Sequence, residues 1–156
     1  MNARQFSSHS RSLLHSLADF RFELRSFLCF SEQAASHNGL QPQQHQLLLQ
    51  VAGAPEAATV TIAYAAARLG LKHNSVVELV DRSEREGLLE RVADATDKRR
   101  ILLRVTRKGS SVLNKLTGEH ARELNVMAPR LMAALEHVRA HANDAVDNGS
   151  TNARAK

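Results

Sequence analysis

The chain has 156 residues, which suits one domain of ordinary size. Apolar residues make up 43% and can form a hydrophobic core, but only 4% of residues are aromatic and Trp is absent, which favours packed helices over a β-sandwich. The net charge of +5 weakly favours an anionic partner, and one cysteine excludes an intrachain disulfide in this sequence.

The sequence contains no segment that approaches the roughly 18 consecutive apolar residues of a membrane helix. The first residues are Ser-rich and lack the apolar stretch of a signal peptide. We therefore expect a cytoplasmic, nucleoid-associated protein without a membrane partner.

Apolar residues near the start recur at spacings of four and three and predict a long helix over residues 10–38. Asn38-Gly39 would end this helix, and Pro42 would open a second one. So long a helix has little to pack against in a small core, so its stripe predicts a homodimer; the alternative is packing on the C-terminal helices of the same chain. The stripe consists of Leu13, Leu17, Phe20, Leu24 and Phe27.

The middle of the chain has the layout of a helix–turn–helix. Helices are predicted over 62–69 and 74–86, with Thr61 as the cap of the first and Gly70 in the turn between them. Ala65 supplies the small residue that two steeply crossing helices need at their contact.

Two short apolar runs, Leu88–Val92 and Ile101–Val105, predict antiparallel strands joined by a polar tip. A solvated hairpin surface would explain most such charge runs. A basic tip beside a helix–turn–helix instead favours phosphate contact. The basic residues between 98 and 108, a segment without acidic residues, are Lys98, Arg99, Arg100, Arg104, Arg107 and Lys108.

The C-terminal part predicts one helix capped by Thr106, a second that opens at Pro129, and a disordered tail over 147–156. The expected organisation is a single domain, 1–146. It has a DNA-binding lobe at 41–108 and dimerisation helices at 10–38 and 109–146.

The run SVVELVDRSEREGLLERVADATDKRR at 75–100, followed by VTRKG at 105–109, resembles the MarR family (multiple antibiotic resistance regulators). The resemblance implies a mainly α fold with a small β-wing, and long N- and C-terminal helices that interlock in a homodimer. It also implies two winged lobes that read palindromic double-stranded DNA, and a pocket for small aromatic or anionic compounds. Ser83 stands where the family usually has an apolar residue, which predicts looser packing behind the recognition helix.

The N-terminal part of a recognition helix meets base edges in the major groove, so Asn74 is expected at an adenine and Val77 at a thymine methyl. Arg99 is predicted to contact DNA at the wing tip, with Lys98 and Arg100 at phosphates. A salt-linked frame of Asp81, Arg82 and Asp97 is expected to orient the wing. The full predicted DNA-binding set is Lys72, His73, Asn74, Ser75, Val77, Arg82, Lys98, Arg99 and Arg100.

Arg21 and Arg25 lie one turn apart and could bind an anionic effector, although solvent-facing arginines are an equal alternative. His137 and His141 have i,i+4 spacing that can chelate zinc, but solvated histidines are favoured and no metal is expected. Cys29 is interpreted as a buried or half-buried packing residue rather than a redox sensor.

The sequence contains no nucleophile elbow, phosphate-binding glycine loop or paired carboxylates in a Gly-rich pocket, so we expect neither an enzyme nor a cofactor. The predicted function is a sequence-specific DNA-binding transcriptional regulator, a homodimeric repressor released by a small molecule. The alternative is a DNA-organising or partner-binding winged-helix module without an effector.

Overall fold

The computed structural model describes residues 8–152, which form five helices and a two-stranded sheet. None of these helices is long and apolar enough to cross a membrane. Within the described residues, the chain divides into a central unit, 31–120, and a terminal unit made of 8–30 and 121–152. The elements are α1 (Ser8–His37), α2 (Pro42–Ala52), α3 (Ile62–Leu69), α4 (His73–Arg85), β1 (Leu89–Ala93), β2 (Ile101–Val105) and α5 (Arg107–Asn152).

Local signals set the ends of the short helices, as the sequence predicted. Gly39 follows α1 with φ 75°, a conformation that glycine adopts at little cost. Pro42 occupies the first turn of α2. Thr61 Oγ1 accepts the Tyr64 N–H at 3.3 Å and caps α3, which ends at Gly70 with φ 64°. These predicted limits are confirmed.

The core of the central unit is aliphatic. Helix α2 packs on α3, α4 and β2, and α3 packs on α4. Ala65 is fully buried in α3, as expected for a small residue in a helix–turn–helix. Six of the largest fully buried side chains are Leu47 and Leu48 of α2, Leu79 and Val80 of α4, Leu89 of β1 and Leu116 of α5.

Strands β1 and β2 pair in antiparallel register, with Leu89 opposite Val105 and Ala93 opposite Ile101. The Leu103 N–H also donates to the Val60 carbonyl oxygen at 2.7 Å, so the segment before α3 adds a bridge to β2. We call β1, β2 and the tip between them, residues 94–100, the wing. The predicted mainly helical fold with a small β-wing is confirmed.

The start of α5 contacts the beginning of the wing through Gly109. A Cβ atom at this position would lie 2.1 Å from the Leu88 carbonyl oxygen, so any side chain would force the backbone apart. The Gly109 N–H donates to Thr106 Oγ1 at 3.1 Å, which confirms Thr106 as the cap of α5.

Helix α5 runs for 46 residues with Pro129 inside it, so the predicted break at Pro129 is wrong. An interior proline forfeits one backbone hydrogen bond and costs about 3 kcal/mol. Met127 and Ala134 are buried on either side of Pro129, and this burial holds the helix continuous. The helix also includes residues 147–152, part of the tail that we expected to be disordered, and it continues through Gly149. Residues 153–156 lie outside the described residues.

In the terminal unit, the predicted apolar stripe of α1 splits into two parts. Its half-buried members are Leu13, Phe20 and Phe27, whereas Leu17 and Leu24 are exposed. Arg130 Nε of α5 lies 3.2 Å from both carboxylate oxygens of Glu23 in α1. The exposed residues belong to a seam with heptad spacing, which we call the α1 seam: Leu14, Leu17, Arg21, Leu24 and Leu28.

Candidate nucleic-acid interface

The first turn of α4 presents a contiguous polar surface. His73, Asn74 and Ser75 are exposed, and so is Lys72, the N-cap residue. Val76 is fully buried and anchors this turn against the core. The predicted major-groove residues therefore lie on one exposed turn. Val77, the remaining member of that set, is half-buried and less accessible.

The tip of the wing is an ordered turn organised by Asp94. Its Oδ1 accepts hydrogen bonds from the Thr96 N–H and hydroxyl, both at 2.8 Å. The Arg100 N–H donates to the Asp97 carbonyl oxygen at 2.8 Å, and Asp97 Oδ1 accepts the Arg99 N–H at 3.1 Å. Carboxylates that accept local backbone N–H groups stabilise such turns. The hydrogen bonds from Thr96 and the nearby charge of Arg100 lower the pKa of Asp94.

The three cations of the tip have different surroundings. Arg100 Nε lies 3.2 Å from Asp94 Oδ2 and 3.4 Å from Asp97 Oδ2, so this guanidinium is engaged in ordering the tip. Lys98 and Arg99 are exposed and form no ion pair within the described residues. The tip therefore presents two unneutralised cations, whereas a DNA contact was predicted for all three.

The predicted salt-linked frame needs correction. Arg91 of β1 joins the wing to α4 through ion pairs with Asp81, at 2.6 Å, and with Glu84. Asp97 acts inside the tip, and Arg82 forms no ion pair among the described residues. Sequence reasoning missed Arg91 and Glu84 because they lie on different elements, β1 and α4, which meet only in the folded chain. The available signal was the i,i+3 spacing of Asp81 and Glu84, which places both carboxylates on one face of α4.

Arg82 lies instead in a concavity of about 230 Å³ on α4, together with Glu78, Asp81 and Arg85. Its Nε atom is buried and has no hydrogen-bond partner. Ser83 is fully buried, and its hydroxyl donates to the Leu79 carbonyl oxygen at 2.8 Å. Because that hydroxyl is satisfied and its neighbours are buried, Ser83 does not leave the expected loose packing behind α4.

Arg21 and Arg25 line a groove of about 300 Å³ on α1. Both arginines are exposed, and apolar side chains surround them. Cys29 is exposed, so the expectation of a buried or half-buried thiol is wrong; α1 turns this position away from the half-buried Phe27 and Phe30. The other groove-lining residues are Ala18, Phe22, Leu24 and Leu28.

The remaining histidine expectation concerns α5. His141 Nδ1 lies 2.7 Å from the His137 carbonyl oxygen, as in a helix-surface histidine that donates to its own helix. No group of three or more metal-ligating side chains occurs within the part of the chain that the structure describes.

We expect Asp94→Ala to loosen the tip without disturbing the sheet. The Thr96 amide loses its acceptor, so its hydrogen exchange should accelerate by about tenfold, equivalent to roughly 1 kcal/mol for one lost hydrogen bond. The Leu103 amide, which donates to Val60, serves as the internal control and should keep its exchange rate. Unchanged exchange at Thr96 in Asp94→Ala would show that Asp94 does not organise the tip.

Comparisons with known proteins were made for the sequence and for the fold. Residues 38–100 match the MarR family model. No curated protein matches the chain. Among solved structures, a complex of S. aureus MepR with DNA is 19% identical with a TM-score of 0.63, and the match covers 83% of this chain and 94% of that one.

Two further structures show the same fold. A MarR family protein from Bacillus stearothermophilus is 18% identical with a TM-score of 0.64, covering 90% of this chain and 99% of that one. CouR from Rhodococcus jostii RHA1, bound to p-coumaroyl-CoA, is 23% identical with a TM-score of 0.53, covering 84% and 86%. The predicted resemblance is confirmed: residues 38–100 match the MarR family model, and the similar solved structures share the fold of this chain.

Proposed function

We propose that the chain is a DNA-binding transcription regulator that reads a palindromic operator as a homodimer. The observation that carries this proposal is the combination of an exposed polar first turn on α4 with a wing tip that presents two unneutralised cations. The DNA complex of the similarly folded MepR supports it.

The first turn of α4 suits base recognition. The Asn74 amide has a donor and an acceptor that match the adenine edge in the major groove, and Ser75 can contact either partner of a base pair. Lys72 and His73 lie at the start of the same turn, where they can reach phosphates that flank the contacted bases. A module that recognises only charge and shape gains nothing from Asn74, which favours a specific regulator over the DNA-organising alternative.

The wing suits the DNA backbone and a narrow minor groove. Arg99 is exposed at the apex, where the enhanced negative potential of such a groove attracts a guanidinium. Lys98 provides a neighbouring phosphate contact. Arg100 holds the tip, and we assign Arg82, which forms no ion pair among the described residues, to a phosphate through the outer nitrogens of its guanidinium. Carboxylates near phosphates are unfavourable unless neutralised, and the pairing of Asp94 and Asp97 with Arg100 offsets one of their two charges.

A second copy of the chain is the partner that the terminal unit fits. The α1 seam repeats at spacings of three and four, the period at which helices pack side by side. Leu17 and Leu24 are 39% and 42% exposed, and α5 exposes apolar side chains of its own. Two-fold symmetry then places one α4 in each half of a palindrome. The exposed apolar residues of α5 are Leu124, Val126, Met132 and Leu135.

Small-molecule release of a repressor is the regulatory mode that the groove on α1 supports. Arg21 and Arg25 supply positive charge, and Phe22 and Leu28 supply apolar surface, which together suit an aromatic carboxylate. CouR, which has the same fold, is bound to an aromatic acyl thioester that carries phosphates. An effector-independent module is the second candidate, favoured because Arg21, Leu24 and Leu28 of the groove also belong to the α1 seam that a second copy would cover.

We expect selection from random DNA to recover a palindrome whose half-site centres lie about 10 bp apart. Arg99→Ala should weaken binding to the selected duplex and to scrambled DNA alike, and it should reduce the slope of log affinity against log salt concentration by about 1. Asn74→Ala should narrow the difference between specific and scrambled DNA by roughly 1–3 kcal/mol. Binding isotherms over a range of salt concentrations measure both effects.

Arg11→Ala is the matched control, because Arg11 is an exposed cation of α1 outside the proposed interface. It should leave the affinity and the slope unchanged. Selection of an asymmetric site would contradict the proposed palindrome. The assigned roles of α4 and the wing would be wrong if Arg99→Ala altered only sequence preference while Asn74→Ala weakened binding to all DNA equally.

The wild-type chain should be a dimer at micromolar concentration, and Leu24→Asp should dissociate it. Burying an unpaired carboxylate in the interface costs about 3 kcal/mol or more, which raises the dimer dissociation constant more than 100-fold. Leu49→Asp is the control, because Leu49 of α2 has a similar exposure of 39% but lies in the central unit. Light scattering decides the question, and a wild-type monomer would refute the dimer.

Benzoate and related aromatic carboxylates should weaken DNA binding by wild-type protein if the groove on α1 is an effector site. Arg21→Gln and Arg25→Gln should each reduce this effect about tenfold, because each removes a charged hydrogen bond of about 1.5 kcal/mol. Arg11→Gln should respond like the wild type. A response that is identical in all four proteins, or absent throughout the panel, would reject these arginines as effector ligands.

A further inference from the structure

The central unit contains a histidine pair that neither α4 nor the wing uses. His45 of α2 and His120 of α5 have ring centroids 4.8 Å apart, with planes inclined by 44°. His45 is only 2% exposed. Two titratable rings in contact inside a protein are electrostatically opposed, because a proton on either one disfavours a proton on the other.

The hydrogen bonds of His120 fix its role in the neutral form. Its Nδ1 lies 2.7 Å from the Leu116 carbonyl oxygen, which can only accept, so Nδ1 carries the hydrogen. Its Nε2 lies 2.8 Å from Ser31 Oγ and therefore accepts from that hydroxyl. His120 thus connects α5 to the last part of α1, and Ser31 is able to accept in turn if His120 becomes protonated.

His45, unlike His120, has no acceptor at Nδ1 for a second N–H. Its Nδ1 is buried without a hydrogen-bond partner, so a second N–H on the ring would add an unpaired donor and a buried charge. Burial lowers the pKa of His45, and the charge of a protonated His120 lowers it further.

Charged groups on the other elements around α2 do not offset this. On α3, Arg68 hydrogen-bonds to Gln50 at 2.7 Å, and at the end of α4 the Glu86 carboxylate accepts from Gln44 at 2.9 Å. None of the neighbouring charges contributes to the lowered pKa of His45 except His120. Three further charged side chains lie on the elements of this unit: Arg104 of β2 and Glu32 of α1, which are exposed, and Glu119 of α5, which accepts from Asn38.

We propose that the His45–His120 pair is an acid-responsive element. Protonation of His45 drives the start of α2 away from His120. Because α2 packs on α3, α4 and β2, its displacement loosens the support of the helix–turn–helix. Acid therefore weakens DNA binding, a consequence that rests on the function proposed above. The loosening of α2 in acid does not depend on that proposed function.

Proton linkage determines the direction in which stability changes with pH. The unfolded chain takes up a proton on His45 near its ordinary pKa of 6.5, whereas the folded chain does so only at lower pH. Stability is therefore fully present above pH 6.5 and is lost as the pH falls below this value, until the folded protein also binds the proton. One excess proton in the unfolded state changes the unfolding equilibrium constant by at most about tenfold per pH unit.

The test compares urea denaturation of the full chain between pH 7.5 and pH 5.5 for wild type, His45→Gln and His37→Gln. His37 is an exposed histidine of the same unit and serves as the control. The wild type and His37→Gln should lose stability with a slope that approaches tenfold per pH unit below 6.5. His45→Gln, which cannot take up the proton, should show a distinctly shallower slope. Equal slopes in the three proteins would overturn the proposal.

A titration of wild-type histidine ring signals by NMR decides the matter if His45→Gln does not fold. The His45 signal should remain that of a neutral ring at pH 6.5, the ordinary pKa of histidine, and amide signals of α2 should shift or broaden as His45 takes up its proton at lower pH. A His45 ring that is already half-protonated at pH 6.5, with no change in the α2 amides, would overturn the proposal.

DNA binding provides the second readout, on the duplex recovered by selection. From pH 7.5 to pH 5.5 the wild type should lose affinity at least threefold relative to His45→Gln. The ratio of the two affinities cancels any pH-dependent change in DNA binding that both proteins share. Equal pH dependence of affinity in both proteins would overturn the DNA part of the proposal. Absence of specific binding in both at pH 7.5 would refute the proposed function, while the denaturation slopes would still decide the role of the pair.

Discussion

The burial of α2 is the constraint on which the rest of the central unit depends. Leu47 and Leu48 are fully buried where α2 packs on α3, α4 and β2. A fully buried leucine contributes about 1.5–3 kcal/mol, whereas a partly exposed ion pair contributes about 1 kcal/mol or less. The apolar contacts therefore determine where α4 and the wing lie. The ion pairs of Arg91 with Asp81 and Glu84 then restrict the orientation of the wing on that base.

Charge in the wing is divided between cations that order the tip and cations that are left for a partner. Asp94 and Asp97 neutralise Arg100, and Asp94 also fixes the turn through Thr96. Without these carboxylates, the like charges at 98–100 would repel one another and favour a disordered tip. With them, Lys98 and Arg99 extend from a turn whose backbone is already ordered, so less conformational entropy is lost when the tip binds an anionic surface.

The sequence predicted those parts of the structure that local chemistry determines. Thr61, Gly70 and Thr106 act within a few residues of themselves, and each occupies the predicted position. Features that depend on distant partners were not predictable. Arg91 has no local signal for its partners in α4, and Pro129 would end a helix that lacked the buried residues flanking it. The exposure of Cys29 was misjudged because its apolar neighbours in sequence point to other faces of α1.

The two acid-sensitive sites of the central unit operate in separate pH ranges. Hydrogen bonds lower the pKa of Asp94 below its ordinary value of 3.8, so the tip keeps its ionised carboxylate throughout mildly acidic conditions. His45 begins to oppose folding below pH 6.5. Between these values, the support of α4 weakens while the wing tip stays ordered. Because domains of this size are stable by only about 5–15 kcal/mol, one buried proton is enough to shift the balance between packed and loosened states.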